Sequence, residues 1–468
     1  MAIYSEIKGY TKNNFTFFGA YYFSYKNYHF LLGKNGCSII INTKLLNSLK
    51  KQSPNKDLIL KLLQHGLAIV SDKEFPIDDY EELKTKRILP KTTYFIIDIT
   101  KHCNMDCVYC FRDLNDKRKI SFERLKDICD YLADVSLKQK SFINIQMWGG
   151  EPTFAMDRIE YVVTYFKSKN IKVGIDIETN GSIVTDKIAK QLYEWGISVG
   201  VSIDGTPKYQ NMQRKLVNRK NSMPSVKKGI RILQKYFGNN FGGITVITKY
   251  NFKDIDKIIE YYIYDLGINS MKFNIVKDNP NANEKSLGLT LDEVEEFANK
   301  LCDVVEIYNS LGVNFSEGNI QTRIDNLLIR SGFSCCISNG CKGGQTLISI
   351  DAEGNIYPCE MMDYHDVKLG SIYNNGKLSN SDNLQKQINS AKDKNIFFKE
   401  KHIDECKICP WHYYCKGGCT SRIYYTNNST SVDKVECTFN RTIYPRLIRQ
   451  ILRKNIDLKE KSTFKYYN

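Results

Sequence analysis

From residue 92 onward, apolar runs rich in β-type residues recur at 92–99, 142–148, 172–178, 197–203, 243–248 and 270–276. Between the first two, Phe122, Leu125, Ile128, Cys129, Leu132 and Val135 mark one helix face at a 3.6-residue period. Strands alternating with helices six times predict an α/β fold with a parallel sheet and right-handed crossovers. After a polar connection at 279–290, Val294, Phe297, Leu301, Val304 and Val305 predict another helix, with Cys302 in its core. The first 72 residues are patterned differently. Two strand-like runs, 21–25 and 37–41, are split by the turn signal Gly33-Lys34-Asn35-Gly36. Helical patterns follow at Leu45, Leu46 and Leu49, then at Leu58, Leu60, Leu62 and Leu63, and Gly66 stops the second before a strand-like 67–70. This reads as a small, separate, winged-helix-like α+β unit. Residues 73–91 are charged, contain Pro76 and Pro90, and read as a linker.

With 468 residues at 42% apolar content, two or three domains with ample core are expected. No stretch approaches the 18 uninterrupted apolar residues of a spanning helix, so no membrane partner is expected. The start, Met1 to Glu6, lacks the basic-then-apolar pattern of a secretory signal, which points to the cytoplasm. In that reducing compartment, 15 cysteines in unequal clusters imply metal rather than disulfides. The net charge of +15 would suit nucleic acid or an acidic peptide. The lysines are spread over the whole chain, however, and no basic run is interleaved with aromatics, so nucleic acid is a poor match.

The cysteines carry the chemistry. Cys103, Cys107 and Cys110 lie within eight residues on the loop after the first long strand. Three thiolates so placed can grip three irons of a cubane and leave the fourth open. A zinc site lacking one ligand, or three unrelated thiols, are the alternatives on this stretch alone. A second series comprises Cys341, Cys359, Cys406, Cys409, Cys415, Cys419 and Cys437, with Cys335 as an eighth thiol and Cys336 a poorer substitute. Eight thiolates suffice for two fully ligated cubanes, and two zinc sites are the rival. Residues 349–357 read as a hairpin turning at Gly354 and delivering Cys359. Cys37 and Cys129 read as packed or surface thiols. Gly149-Gly150-Glu151-Pro152 follows the second strand, where glycines permit close backbone approach and a carboxylate can take an ammonium group. Thr179-Asn180-Gly181 ends the third strand and Ser202-Ile203-Asp204-Gly205 the fourth.

The C-x3-C-x2-C spacing with Tyr109 before its last cysteine, together with these strand-end motifs, resembles the radical S-adenosylmethionine (SAM) enzymes over roughly residues 92–440. The later cysteine order resembles their SPASM extension. The resemblance implies a partial (β/α)6 barrel over 92–318, a SPASM domain over 319–440, and a C-terminal helix and tail over 441–468. It implies three [4Fe–4S] clusters. Cys103, Cys107 and Cys110 would hold the one that binds SAM; Cys335, Cys341, Cys359 and Cys419 the first auxiliary cluster; Cys406, Cys409, Cys415 and Cys437 the second. Tyr109, Gly149, Gly150, Glu151, Pro152, Thr179, Asn180, Ser202 and Asp204 would surround SAM, with Arg214 clamping its carboxylate. Residues 1–72 look like the leader-binding domains fused to peptide-modifying members. Glu360 follows Cys359 where sulfatase-maturing relatives carry an Asp proposed as base; Glu is one methylene longer.

The expected function is peptide maturation: hydrogen abstraction from a ribosomally made, cysteine-containing precursor with a leader, and thioether formation. An external one-electron donor of flavodoxin or ferredoxin type would serve it. The alternatives are formylglycine formation by sulfatase maturation or a carbon–carbon cross-link. Sulfatase maturases, though, begin almost directly with their cysteine triad. An iron–sulfur electron carrier leaves Gly149–Pro152 and Asp204 without a role, and an RNA-modifying radical enzyme rests on charge alone.

Overall fold

The computed structural model describes residues 4–12, 15–70, 93–140, 142–328, 340–394, 404–426 and 432–453. Six parallel strands form its centre: β1 (Thr93–Thr100), β2 (Ile143–Gly149), β3 (Val173–Thr179), β4 (Ser198–Ser202), β5 (Gly242–Ile247) and β6 (Ser270–Ile275). Each lies beside its predecessor in sequence, as a sheet wound by successive crossovers must. Alternation within the strands decides the layers. Phe95, Ile97, Ile99, Ile143, Ile145, Met147, Ile175, Ile177, Val199 and Val201 are buried towards the surrounding helices. The opposite face carries Tyr94, Asp98, Gln146, Trp148, Asp176, Glu178 and Lys272, so the barrel interior is polar. Truncating one of the outward isoleucines to alanine costs about 2–5 kcal/mol.

The helix Phe122–Gln139 forms where its period predicts. Ser121 accepts from the Arg124 amide at its N-terminus, and Leu125, Ile128, Cys129, Leu132 and Val135 are buried. Phe122 departs from the expected face: it is half exposed, and its ring lies 3.8 Å from the Arg158 guanidinium carbon. The helix Leu291–Ser310 opens on a capping box of Thr290 and Glu293 and buries the expected five residues and Cys302.

Four short strands, with Gly370–Ser371 at the outer edge, extend the sheet beyond the expected six. The short strand Ser316–Glu317 pairs with β6. On the other edge, Leu347–Ile350 pairs in parallel with β1, and Asn355–Tyr357 returns antiparallel to it. The hairpin turns at Gly354 (φ +82°) as expected, but it is part of the barrel's own sheet. The helix Lys434–Arg453 begins earlier than expected, so a division at 440/441 falls inside it.

The N-terminal region contains a four-stranded antiparallel sheet in the order Ser5–Ile7, Ala20–Tyr25, Tyr28–Gly33, Ser38–Asn42. The strand Tyr28–Gly33 is absent from the sequence reading; Lys26 (φ +53°) makes the tight turn into it. Two helices, Thr43–Lys50 and Lys56–Gln64, are capped by Asn42 and Asn55. Leu31, Ile39, Ile41, Leu46, Leu49, Leu58 and Leu62 form a local core. Tyr21, Phe23, Phe30 and Leu32 face the other way and join the main core. The unit is therefore not separate from the rest of the chain.

Candidate active site

The loop after β1 is held from four sides. Gly150 N donates to Thr100 O (2.7 Å) and Glu151 N to His102 O (2.8 Å). A Cβ on Gly149 would stand 2.1 Å from Thr100 O, and one on Gly150 2.4 Å from His102 O. The two glycines thus let the end of β2 close on the start of the cysteine loop. The short strand Met105–Cys107 pairs with Arg214–Leu216. From the third side, Asn283 N donates to Cys110 O (3.1 Å), Asn283 Nδ2 to Cys107 O (2.9 Å), and Glu284 N to Val108 O (2.7 Å). From the fourth, Asn180 Nδ2 donates to Asn104 Oδ1 (2.9 Å) and faces Cys103 Sγ at 3.9 Å.

Cys103, Cys107 and Cys110 are brought within electrostatic reach of one another. Burial pushes the Cys103 thiol up to about 11 and Cys107 further, so iron has protons to displace on binding. Three convergent thiols on a glycine-backed loop fit a cubane with one open corner.

Glu151 is fully buried. Its Oε1 accepts from Thr153 N (3.2 Å), Thr153 Oγ1 (2.5 Å) and Thr179 Oγ1 (2.6 Å), and Oε2 accepts from Asn180 N (2.6 Å). Burial raises its carboxyl, and these hydrogen bonds oppose the rise. Pro152 opens the short 3-10 turn that Glu151 caps. Ser202 is half-buried at the end of β4.

Asp204 stands behind Tyr109 and Arg214. It has no exposed surface and accepts from Tyr109 Oη (2.7 Å), Gln213 Nε2 (3.1 Å) and Val246 N (3.0 Å). Arg214 Nε lies 3.1 Å from its Oδ1 as an ion pair that is not aligned as a hydrogen bond. Asp204 therefore holds Tyr109 and Arg214 in place. Arg214 Nη1 faces Cys107 Sγ at 3.9 Å, and its guanidinium sits 5.4 Å from the Tyr109 ring centre. Burial would lower the Arg214 pKa, but Asp204, Tyr109 and Cys107 hold it well above the usual value. Burial likewise lifts the Tyr109 phenol.

Inside the barrel, Glu178 packs over Gly200 and bonds Gln146. Burial raises its carboxyl, Lys272 opposes the rise, and Glu360 adds to it. Glu360 Oε2 is buried with no hydrogen-bond partner, as are Trp148 Nε1 and Asp98 Oδ1. Trp148 and Asp98 are direct neighbours across β2 and β1.

The later described cysteines gather in two groups. Cys341, Cys359 and Cys419 act on one another electrostatically; Cys335 lies outside the described residues. Cys406, Cys409 and Cys437 form the other group, with Cys415 reaching Cys437. Among the described residues, no three His, Cys, Asp or Glu side chains are gathered closely enough for a single metal ion. The sequence reading gave no role to Gln213, to Asn283, or to Ser182, whose Oγ accepts from Asn104 Nδ2 (2.9 Å). The repeated asparagines of the polar connection were the available signal for Asn283.

The profile of the radical SAM superfamily matches residues 97–262, and that of the SPASM iron–sulfur cluster-binding domain matches 341–410. An uncharacterised protein of Methanocaldococcus jannaschii is 30% identical over 288 residues, 61% of this chain and 90% of its own. The chain belongs to the radical SAM superfamily. As a radical SAM enzyme it uses a [4Fe–4S] cluster and S-adenosylmethionine, and its SPASM domain binds additional clusters. A cysteine-type anaerobic sulfatase-maturating enzyme of Clostridium novyi is 26% identical over 365 residues, 75% of this chain and 94% of its own. The radical SAM cyclopropyl synthase TigE of Paramaledivibacter caminithermalis is 23% identical, with 90% of each chain covered. The solved fold of anSMEcpe with bound AdoMet superposes with a TM-score of 0.66 at 22% identity, over 78% of this chain and all of that one. No helix among the described residues is long and apolar enough to cross a membrane.

Proposed function

We propose that this radical SAM enzyme installs thioether cross-links in a ribosomally made, cysteine-containing precursor peptide. Sequence similarity to enzymes named for sulfatase maturation and cyclopropyl synthesis supports a peptide substrate. Similarity to TigE extends over nine-tenths of the chain, and an antiparallel N-terminal sheet with an edge strand suits capture of an extended leader. When bound and reduced, the cofactor pair supplies a 5′-deoxyadenosyl radical that takes one hydrogen atom from the peptide.

One observation carries the reading: a buried carboxylate oxygen of Glu360 stands without a partner, beside Cys359 and in the field of Glu178. Such an acceptor suits the thiol proton released as sulfur bonds carbon. Loss of two hydrogens from the substrate would balance as one hydrogen atom and one proton, the proton going to Glu360, with an auxiliary cluster supplying the acceptor for the remaining electron when bound. Cys103, Cys107 and Cys110 hold the SAM cluster, with Asn180 and Glu151 fixing its loop and Arg214 steadying Cys107. The two later thiol groups hold the auxiliary clusters, and a flavodoxin- or ferredoxin-type protein supplies the electron.

Anaerobic incubation with SAM, reductant and a leader-bearing, cysteine-containing precursor peptide, sought as a short reading frame near the gene, tests this. The expected product is lighter by two hydrogens per cross-link and has lost one alkylatable thiol for each. Cys103→Ala should give neither product nor 5′-deoxyadenosine. Similarity to the Clostridium novyi maturase favours a second reading, formylglycine formation, which would yield an aldehyde instead. A two-hydrogen loss with every thiol retained would mean a carbon–carbon bond.

A further inference from the structure

Tyr21 and Phe23 share one face of the N-terminal sheet, and what covers that face is cysteine-bearing chain. The Phe23 ring stacks on Trp411 at 5.4 Å, Trp411 on Tyr444 at 4.9 Å, and Tyr414 on Tyr444 at 5.4 Å. All four rings are buried. Trp411 lies two residues after Cys409, Tyr414 directly precedes Cys415, and Tyr444 stands on the helix that carries Cys437. Polar contacts fix the same seam. Tyr21 Oη donates to Ile408 O (3.1 Å), beside Cys409, and Tyr414 Oη donates to Gly36 O (2.9 Å). Gly36, at φ +75°, lies so close to the Tyr413 ring that a Cβ there would come within 2.1 Å. Between Cys409 and Cys415 the chain forms only the single turn His412–Cys415, too short to build a core of its own. Its packing comes from the sheet on one side and the C-terminal helix on the other.

We propose that the N-terminal sheet completes the housing of the second auxiliary cluster, with Phe23, Tyr21 and Gly36 acting as positioning residues for the loop from Cys406 to Cys415. The inference rests on assigning Cys406, Cys409, Cys415 and Cys437 to one cluster. Burial and second-shell contacts set both the potential and the retention of an iron–sulfur cluster. An apolar wall disfavours the more highly charged reduced state, so opening that wall raises the midpoint potential. A domain that engages a peptide would thereby share a wall with a redox centre, and strain in one would be felt in the other.

The test is potentiometric EPR of the anaerobically reconstituted full-length enzyme, with iron release to a chelator followed in parallel. In Phe23→Ala, one midpoint of the three should move to a more positive potential. About four irons should leave about ten-fold faster than in the parent. Phe23→Leu should restore both properties. Leu58→Ala weakens only the local core of the N-terminal unit and should leave all midpoints in place. Unchanged midpoints in Phe23→Ala, or an equal shift in Leu58→Ala, would overturn the proposal. Cys409→Ser should lose about four irons outright; full iron retention there would overturn the cluster assignment beneath it.

Discussion

Asp204 lies behind the cysteine loop with no water-facing surface, where Tyr109, Gln213 and the Val246 amide all point at its two oxygens. Asp204→Ala would leave the buried Arg214 charge uncompensated, a loss of about 3–5 kcal/mol. Denaturant unfolding of the reconstituted protein reads that loss directly. Tyr109→Phe removes one hydrogen bond to a charged acceptor and should cost about 1.5–3 kcal/mol. Asp176 shows the opposite behaviour. Burial lifts its carboxyl from 3.8 to about 7, against the pull of the Tyr94 hydroxyl at 2.6 Å. Its folded-state pKa therefore exceeds its unfolded one. Its contribution to stability is present in full below about pH 4 and is lost as pH rises through about 7. Asp176→Asn should flatten that part of the pH profile and raise stability at pH 8 by an amount on the order of a few kcal/mol. Urea midpoints at pH 5 and pH 8 check both statements.

At the scale of elements, the meeting of β2's end with the cysteine loop is a backbone-to-backbone contact. Gly150→Ala places a methyl group against His102 O and must displace the loop. Iron analysis should show about four irons fewer, with the auxiliary EPR signals retained. Such a contact is only half legible in sequence. The glycine pair announces that something comes close, and ligand and neighbouring chain look alike at that level. The strands were legible because apolar residues on alternate positions of β1 to β4 bury outward, a period that survives any detail of packing. The strand Tyr28–Gly33 was hidden because the apolar run 30–32 serves two cores and so does not alternate. The division of the later cysteines comes from the resemblance to the SPASM extension, since the thiols alone leave two zinc sites as a rival. Motif position placed Asp204 among the residues around SAM but did not reveal the partners that satisfy its carboxylate here.

Across the whole molecule, helices distant in sequence are tied by a few buried polar links. Arg323, on the helix Gly318–Leu328, pairs with Glu436 at 2.6 Å and bonds Asn440 at 2.8 Å on the helix that carries Cys437. Both members of the ion pair are nearly excluded from water, so Arg323→Ala strands a carboxylate and should cost about 3–5 kcal/mol. A lower thermal midpoint of the intact protein is the expected result. Replacing Arg323 and Glu436 together by apolar residues of similar size should recover much of it.

The ladder joining Leu347–Ile350 to β1 fixes where two cysteine-bearing loops stand. One strand leads into the first cysteine loop, and its neighbour leads through a tight hairpin to Cys359. Hydrogen-bond registry acts here as a ruler between two cysteine-bearing loops, graduated at roughly 3.3 Å per residue. Sliding it by one notch would turn every side chain to the wrong face. The spacing of the two cysteine loops thus follows from paired backbone, the stiffest part of the sheet.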